Sequence, residues 1–407
     1  MTRIAKPMAA ILGVALLLGG TVRADEQPQV SHGTAKFLKA AQEAMQAKNW
    51  ADVIAKTKEA AQVGERNAYD DFVINSLQMV AYTNMQQYAE TATAIEKVVD
   101  SPYQQAANKP MLLRTLASIE YQQKDYEGAI KYGQRAQAAG DTSEDTALTI
   151  AQANYLSNNY KEALTALDAM VAKDEQAGHK PKEQTLNLLW SSAIKAKDDA
   201  AASRAVEKLI VSYPKPDYWA NAIVGVQQQL GSADDRLKLM SYRLMRQVGL
   251  LKQPAHFTEM AQIALDQGNP GEAQAILEQA FGKNLFTEQR DKERNQRLLD
   301  KIKEAAARDR AELPRSEKDA NAAPTGDALV QVGAAYLGFG EADKAVAAIN
   351  AGLAKGKLKY QDEAYMLLGM AYDRSKNSSE AVKAFSKANS DAKYARLAKL
   401  WVLDAKS

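Results

Sequence analysis

The feature that most constrains the fold is a polar break that recurs along the chain, each time followed by a small or β-branched anchor residue. Successive anchors lie 33 to 39 residues apart, except for one interval of 72 that equals two periods. A period of this length is typical of repeat proteins, in which each copy buries its apolar face only against its neighbours. The clearest breaks, polar-polar-aromatic triplets, are Lys48-Asn49-Trp50 before Val53, Gln86-Gln87-Tyr88 before Thr91, Lys124-Asp125-Tyr126 before Ala129 and Asn158-Asn159-Tyr160 before Ala163. Later anchors are Ala202, Ala273, Ala345 and Ala381, with a weaker copy from Gly231 to Asp235.

The segment 365–388 shows what one copy contains. Apolar residues fall at steps of three or four on both sides of its polar break, which predicts two amphipathic helices folded back on each other. Gly369 would let the two backbones approach closely, and Phe385 would fill the space beside it. The residues that define this pattern are Tyr365, Leu368, Gly369 and Tyr372 before the break and Ala381, Phe385 and Ala388 after it.

This pattern resembles the tetratricopeptide repeat (TPR), whose signature is W-x-x-L-G-x-x-Y followed by A, F and A at fixed offsets, with Tyr365 at the Trp position. The resemblance implies an all-α, right-handed superhelical solenoid of about ten antiparallel helix pairs. A composition rich in Ala, Gln, Leu and Lys agrees with an all-helical fold.

Four segments are expected: a signal peptide (1–24), an N-terminal solenoid lobe (25–285), a charged degenerate repeat with a linker (286–324), and a C-terminal TPR pair (325–407) with a capping helix. The capping helix is predicted at 392–403 and uses Leu397, Leu400 and Trp401 to cover the last exposed face. The charged stretch 288–319 is interpreted as a solvated helix, with a charged docking surface as the alternative. Pro314 and Pro324 are taken to mark a flexible joint.

The first 24 residues have the pattern of a secretory signal peptide. Arg3 and Lys6 precede a short apolar run, and the chain then offers a cleavage site after Ala24. The alternative is an uncleaved membrane anchor, but the run is too short to span a bilayer comfortably. The segment therefore predicts a periplasmic protein whose mature chain does not span a membrane.

Charge and cysteine content exclude several kinds of partner. Cleavage after Ala24 would remove three basic and no acidic residues, leaving a formal charge of −1, which gives no electrostatic reason to expect nucleic acid as a ligand. The chain has no cysteine, so disulfides and thiolate metal sites are excluded.

A second resemblance covers residues 213–286. This stretch is similar to bacterial periplasmic TPR proteins associated with TonB-type energy transduction, which implies an envelope complex or a TonB-like partner. Read from the residues alone, Pro214 ends one helix, Pro216 begins the next, and Tyr218 and Trp219 enter the core. The likeness rests on Tyr213-Pro214-Lys215-Pro216-Asp217-Tyr218-Trp219, Leu239, Tyr242, Gly249-Leu250-Leu251 and the segment from Ala273 to Leu277.

The sequence contains no local motif for catalysis, for a cofactor or for a metal. His32, His179 and His256 are isolated, and none has a second ligand three or four residues away. There is no Gly-x-Ser-x-Gly elbow and no glycine-rich loop that ends in Lys-Ser/Thr. We therefore predict no catalytic residues, no cofactor and no metal.

The TPR resemblance implies that a partner binds in the groove formed by outward-facing positions of each first helix. Amides, hydroxyls, aromatics and Met suit an extended peptide or a helix. Tyr155 and Met370 are equally compatible with the core between repeats, because a one-residue shift in register exchanges groove for core. The positions are Arg114, Ser118, Tyr121, Gln122, Tyr155, Asn187, Ser191, Lys195, Gln227, Gln228, Met366, Met370 and Arg374.

The sequence favours a non-catalytic periplasmic scaffold that binds a protein or peptide in this groove. A role as an accessory to envelope transport or assembly is a further hypothesis. The alternative is a peptidoglycan-acting envelope enzyme built on a helical superhelix. No stretch outside the repeat pattern is large enough for a separate catalytic domain, which weighs against the enzyme.

Overall fold

The computed structural model describes residues 28–230 and 235–406, and every regular element in these ranges is helical. The all-α prediction is therefore confirmed. The predicted signal peptide, its cleavage site after Ala24 and most of the weak repeat from Gly231 to Asp235 lie outside the described residues. The described chain divides into two compact units, with the boundary between Asp198 and Asp199. This boundary differs from the lobe limits at 285 and 324 that were expected from the sequence.

The first compact unit (unit 1) is a succession of helix pairs. The helices are α1 His32–Gln46, α2 Trp50–Ala61, α3 Ala68–Asn84, α4 Tyr88–Val99, α5 Lys109–Gln122, α6 Tyr126–Ala138, α7 Glu144–Leu156, α8 Tyr160–Gln176 and α9 Glu183–Lys195. Each helix packs on the next one along the chain, and first helices of neighbouring pairs also touch, as α5 does with α7.

The second compact unit (unit 2) contains both helix pairs and single helices. The helices are α10 Asp199–Ser212, α11 Pro216–Leu230, α12 Asp235–Gln247, α13 Pro254–Asp266, α14 Pro270–Gly282, α15 Gln289–Ala322, α16 Asp327–Gly338, α17 Ala342–Lys355, α18 Gln361–Arg374, α19 Ser378–Lys387 and α20 Ala392–Lys406. None of the helices described in either unit is long and apolar enough to cross a membrane.

The polar breaks end one helix and begin the next by local hydrogen bonding. The first residue of each triplet has a left-handed backbone, with φ of 66° at Lys124 and 63° at Asn158. The N–H of the next residue then reaches the carbonyl five residues back, as Asp125 does with Glu120 at 2.9 Å. This is the Schellman arrangement that closes a helix C-terminus. The Asp125 side chain also accepts a bond from the N–H of Gly128 and so caps α6.

The anchors after the breaks are core residues. An anchor this close to its break faces the preceding helix, so only a small or compact side chain fits there. Ala202 is an exception, since it is only half-buried and its neighbours Ala201 and Ala205 occupy the core instead. The anchors with no exposed surface are Val53, Thr91, Ala129, Ala163, Ala273, Ala345 and Ala381.

The contact predicted between Gly369 and Phe385 is present between α18 and α19. A Cβ atom added to Gly369 would lie 2.5 Å from two ring carbons of Phe385, closer than real Cβ contacts. Phe385 is fully buried, and its ring stacks on Trp401 of α20 with 5.3 Å between centroids. The helix register assigned to this pair from sequence is thus the observed one.

The interval of 72 residues does not contain the degenerate helix pair expected there. It contains α15, a single helix of 34 residues with Pro314 in its interior. Leu313 and Ala320 are buried, and Tyr336 of α16 donates a hydrogen bond to Glu317 at 2.6 Å. These contacts on both sides of Pro314 hold the helix together, so that tertiary packing overrides the helix-breaking tendency of proline. The linker predicted at Pro314 is therefore corrected to continuous helix.

Unit 2 closes on itself, because its first and last helices meet. The C-terminal helix α20 packs on α19 and also contacts α10, α11 and α12. Across the same junction the Arg236 guanidinium pairs with Glu363 at 2.6 Å, although the two residues are 127 positions apart. In α20, which contains the segment predicted as a capping helix, Leu397, Leu400 and Trp401 are all buried. The sequence did not indicate that this helix would also cover the beginning of the unit.

Candidate functional site

In unit 1, the structure brings predicted groove positions of neighbouring repeats together on the first helices α5, α7 and α9. The clearest case is Tyr155 of α7, whose hydroxyl lies 2.8 Å from the Ser191 hydroxyl of α9. The Tyr155 ring also packs against the Tyr160 ring, with 5.5 Å between centroids. Tyr155 as a whole is half-buried. Tyr155 is therefore part of a surface that runs from one repeat to the next.

On α5, three of the four predicted positions are partly accessible and Gln122 is exposed. The guanidinium of Arg114 lies 3.5 Å from the Asp141 carboxylate, which also accepts hydrogen bonds at the start of α7. Burial acts to raise the pKa of Asp141, but the bonds from Thr146 and Ser143 outweigh it and hold that pKa below the ordinary value. Arg114 is thus tied to the next repeat.

The remaining predicted positions on α5 and α9 differ in how far their side chains are buried or bonded within the protein. The Tyr121 ring packs on the Tyr126 ring with 5.9 Å between centroids, and burial raises the pKa of Tyr121. Ser118 is half-buried on the same helix. On α9, Asn187 uses its amide to bond the Glu183 carbonyl of its own helix at 3.0 Å, whereas Lys195 is exposed.

Two apolar residues of this surface were missed by the sequence reasoning. Leu156 at the end of α7 and Ile194 near the end of α9 are 45% and 50% exposed, an unusual degree for large aliphatic side chains. They directly adjoin the predicted Tyr155 and Lys195. Their separation of 38 residues is one less than the 39-residue interval between the anchors Ala163 and Ala202, so both lie at the end of a first helix, and this was the signal that would have revealed them.

In unit 2, the predicted positions do not form an open groove. Met366 has no exposed surface and Met370 is 4% exposed, so both are core residues and their assignment to the groove is corrected. They are covered because α18 lies inside a unit that closes on itself. Gln227 turns its amide toward Ser241 of α12 at 3.0 Å, while Gln228 is exposed. Arg374 donates to the Leu337 carbonyl at 2.7 Å.

Unit 2 instead contains a cavity of about 570 Å³ next to a buried ion pair. The Arg243 guanidinium binds the Glu272 carboxylate at 2.8 and 2.5 Å, and both side chains are only 7% exposed. Burial acts to raise the pKa of Glu272, but the charge and hydrogen bonds of Arg243 lower it below its ordinary value. This ion pair holds in place two of the polar side chains that line the cavity.

Two of the three histidines lie at helix starts. His32 opens α1, and His256 at the start of α13 lies with its ring 5.6 Å from the Tyr242 ring. Within the described ranges no group of three or more His, Cys, Asp or Glu side chains is placed to hold a metal ion.

The repeated helix pairs, their left-handed breaks and their buried anchors define an α-helical repeat protein. Residues 81–144 and 362–390 each match a family model of the tetratricopeptide repeat. The chain thus contains tetratricopeptide repeats, as its sequence pattern predicted, and the TPR fold is a scaffold for protein–protein interaction. No curated protein matches the chain.

Among solved structures, similar ones include a tetratricopeptide repeat protein from Parabacteroides merdae, with 11% identity, a TM-score of 0.29, and coverage of 83% of this chain and 99% of that chain. The TPR2AB domain of yeast Sti1 in complex with pHSP90 is 13% identical, with a TM-score of 0.26 and coverage of 74% and 100%. Yeast Tom70 is 13% identical, with a TM-score of 0.24 and coverage of 87% and 84%. At these scores, the family assignment rests on the two repeat matches and the helix geometry.

Proposed function

We propose that the protein is a non-catalytic scaffold that binds a segment of a partner protein along α5, α7 and α9 of unit 1. The observation that carries this proposal is a strip in which Tyr155 of α7 contacts Ser191 of α9, with the exposed Leu156 next to Tyr155 in the chain and the exposed Ile194 one turn after Ser191. Two large aliphatic side chains about half exposed on one strip give a partner apolar area to bury. The corresponding face of α18 in unit 2 is covered by its own unit, so it offers no comparable surface.

The chemistry of the strip defines the kind of segment that it would accept. Leu156 and Ile194 suit the apolar side of an amphipathic segment, and Tyr155 adds an aromatic ring with a polar end. The exposed ammonium group of Lys195 lies next to Ile194 in the chain and favours an acidic residue at the edge of that segment. We therefore infer an amphipathic, acidic-edged protein segment as the ligand.

We also propose that the protein acts in the bacterial periplasm after cleavage at Ala24, as an accessory to envelope transport or assembly. The basic start, the short apolar run and the small residues before Asp25 support export. The similarity of residues 213–286 to TPR proteins of TonB-type systems supports an envelope complex, and a TonB-like partner is the first to test.

Site-specific photocrosslinking tests this proposal directly. A photoreactive amino acid is placed at Leu156 or Ile194 in living cells, and the matched control position is Ala169, which is exposed on the second helix α8. We expect the same envelope protein to crosslink from both strip positions and not from the control. Crosslinks that are equal at all three positions would contradict the proposed surface.

The crosslinked partner is then purified, and its affinity is measured with wild-type protein and with the Ile194→Glu variant. A carboxylate on the apolar strip should weaken binding by about 10-fold or more, since a charge would be desolvated in the interface. An Ala169→Glu control should bind normally. Unchanged affinity of Ile194→Glu would overturn the assignment, and reproducible product release from peptidoglycan by the purified protein would favour the envelope enzyme instead.

A further inference from the structure

The outward face of α15 carries a row of basic side chains that the proposed function does not use. Its members follow one another at steps of four, three, four and seven residues, so they share one face of the helix. All of them are exposed and precede Pro314, and the row extends over about 27 Å at 1.5 Å per residue. This row, the basic stripe, consists of Arg290, Arg294, Arg297, Lys301 and Arg308.

Most of the basic stripe has no partner within the protein. Arg294 pairs with the acid three residues before it at 3.4 Å, but within the described residues the other four members form no ion pair within 4.0 Å. Other basic residues of α15 are paired with neighbouring elements. Lys303 lies 3.4 Å from the Glu278 carboxylate of α14, and Arg310 lies 2.9 Å from that of Glu341. The protein therefore neutralises the cations of α15 that face its own helices and leaves the stripe free.

The acids beside the stripe are bonded to glutamine amides rather than to the stripe itself. Gln289 donates to the Glu293 carboxylate at 2.7 Å, and Gln296 donates to that of Asp300 at 2.8 Å. With about 100° between successive residues, these two acids and Glu304 lie on one side, roughly 50–90° around the helix from the middle of the stripe. The stripe is thus a single row of cations with carboxylates along one edge.

A narrow row of charge favours a narrow ligand. A broad anionic surface, such as a membrane, would also lie against the carboxylates at the edge of the stripe, and like charges repel. A single helix with acidic residues on one face would meet the stripe alone. Such a helix repeats its side chains at the pitch of α15, whereas an extended strand places same-face side chains about 6.6–6.8 Å apart and falls out of step. We propose that the basic stripe binds an acidic helical segment of a partner protein, laid along α15 between residues 290 and 308.

Charge rather than apolar contact determines binding at this surface. Among the residues of α15, all of which the structure describes, no large apolar side chain is exposed. Salt screens exposed charges over a Debye length of about 10 Å at 0.1 M ionic strength, so the affinity should fall steeply as salt is added. The stripe belongs to unit 2, which makes it a second docking surface that is independent of the strip in unit 1.

The test measures by fluorescence anisotropy how the full chain binds an alanine-rich helical peptide that carries glutamates on one face at intervals of three or four residues. The matched control peptide has the same composition, with its glutamates spread over all faces. We expect the one-faced peptide to bind at least 10-fold more tightly in low salt, and added salt to remove most of this binding. Equal binding of the two peptides, or no binding at millimolar peptide, would overturn the proposal.

Vesicles of phosphatidylglycerol distinguish an acidic helix from a lipid surface. The chain should not be retained on them under the conditions in which it binds the one-faced peptide, because the carboxylates beside the stripe oppose a continuous anionic surface. Retention that is lost on charge reversal in the stripe would assign it to lipid and overturn the acidic helix.

Charge reversal tests which residues hold the peptide. The double variant Arg297→Glu/Lys301→Glu should weaken binding of the one-faced peptide at least 10-fold, because two attractive contacts become repulsive. The matched control Lys292→Glu/Lys318→Glu makes the same change of charge at exposed residues outside the stripe and should retain most of the affinity. An equal loss in the two double variants would show a response to net charge alone and would contradict the assignment.

A gain of binding completes the test. Reversal of the four unpaired stripe residues to glutamate, at positions 290, 297, 301 and 308, should allow a one-faced lysine peptide to bind, which the wild type should not do. Circular dichroism checks that the variant keeps its helical content. A folded variant that does not bind the lysine peptide would refute pairing along the stripe.

Discussion

Substitution of Gly369 by alanine measures how closely α18 and α19 pack. The added Cβ would lie 2.5 Å from two ring carbons of Phe385 and 2.8 Å from a third, whereas carbon atoms prefer separations of about 3.5–4.0 Å. The ring would have to move by roughly 1 Å to reach that separation. It has no free space to do so, because Phe385 is fully buried and stacks on Trp401.

The expected cost combines two opposing terms. Overpacking of a core typically destabilises by about 1–3 kcal/mol, while replacing a helical glycine by alanine stabilises by about 1 kcal/mol. Gly225→Ala is the matched control in the same unit, because a Cβ there would meet only the Arg396 guanidinium at an ordinary 3.6 Å. Gly369→Ala should therefore be less stable than Gly225→Ala by about 1–3 kcal/mol, which is the steric term alone.

The assay is urea unfolding followed by tryptophan fluorescence in a Trp50→Phe, Trp190→Phe background, which leaves Trp219 and Trp401 to report on unit 2. The second substitution Phe385→Leu should recover part of the loss in Gly369→Ala, because a smaller side chain makes room for the Cβ. Equal unfolding midpoints for Gly369→Ala and Gly225→Ala would refute the close packing and, with it, the repeat register.

Three further outcomes are expected. Arg243→Ala should lower the free energy of unfolding by about 3–5 kcal/mol in a urea titration, because it leaves the buried Glu272 carboxylate without its partner. The folded pKa of Glu272 lies below its ordinary value. The Glu272 carboxylate therefore contributes stability above about pH 4.5, and this contribution is lost as the pH falls through the folded pKa. Acid unfolding should show this loss in the wild type and not in the double variant Arg243→Met/Glu272→Met, which lacks the pair. Pro314→Ala should stabilise α15 by up to about 3 kcal/mol, since the helix regains a hydrogen bond; a lowered thermal midpoint would argue against helix at this position.

The sequence predicted those parts of the fold that local interactions decide. The breaks could be located because a left-handed residue such as Lys124, the cap at Asp125 and the anchor at Ala129 all lie within a few residues of one another. The contact of Gly369 with Phe385 could be predicted for the same reason, since the two helices are joined by a short turn. In such cases the spacing of residue types determines the structure almost alone.

The sequence could not predict features that depend on distant contacts. The Arg236 to Glu363 ion pair spans 127 residues, and no local pattern indicates that α20 would cover α10 to α12. The burial of Met366 and Met370 follows from that closure, so they were assigned to the groove in error. In α15, the local signal of Pro314 was misleading, because packing on α16 keeps the helix continuous.

The candidate site in unit 1 was predicted only in part. Tyr155 and Ser191 meet because TPR solenoids place the first helices of neighbouring repeats side by side, and the resemblance already implied that both positions face the groove. Leu156 and Ile194 were passed over because an apolar residue in an amphipathic helix is normally assigned to the core. Only their solvent exposure in the folded chain distinguishes them from core residues.

The central claim is that the first-helix face is open in unit 1 and covered in unit 2, and thiol labelling tests it most directly. The chain has no cysteine, so a single introduced cysteine reports one position without background. The Ile194→Cys variant should react with a maleimide at close to the rate of a free thiol. The Met366→Cys variant, at a position with no exposed surface, should react only after unfolding in urea. Rapid labelling of folded Met366→Cys, at the rate of Ile194→Cys, would contradict the account.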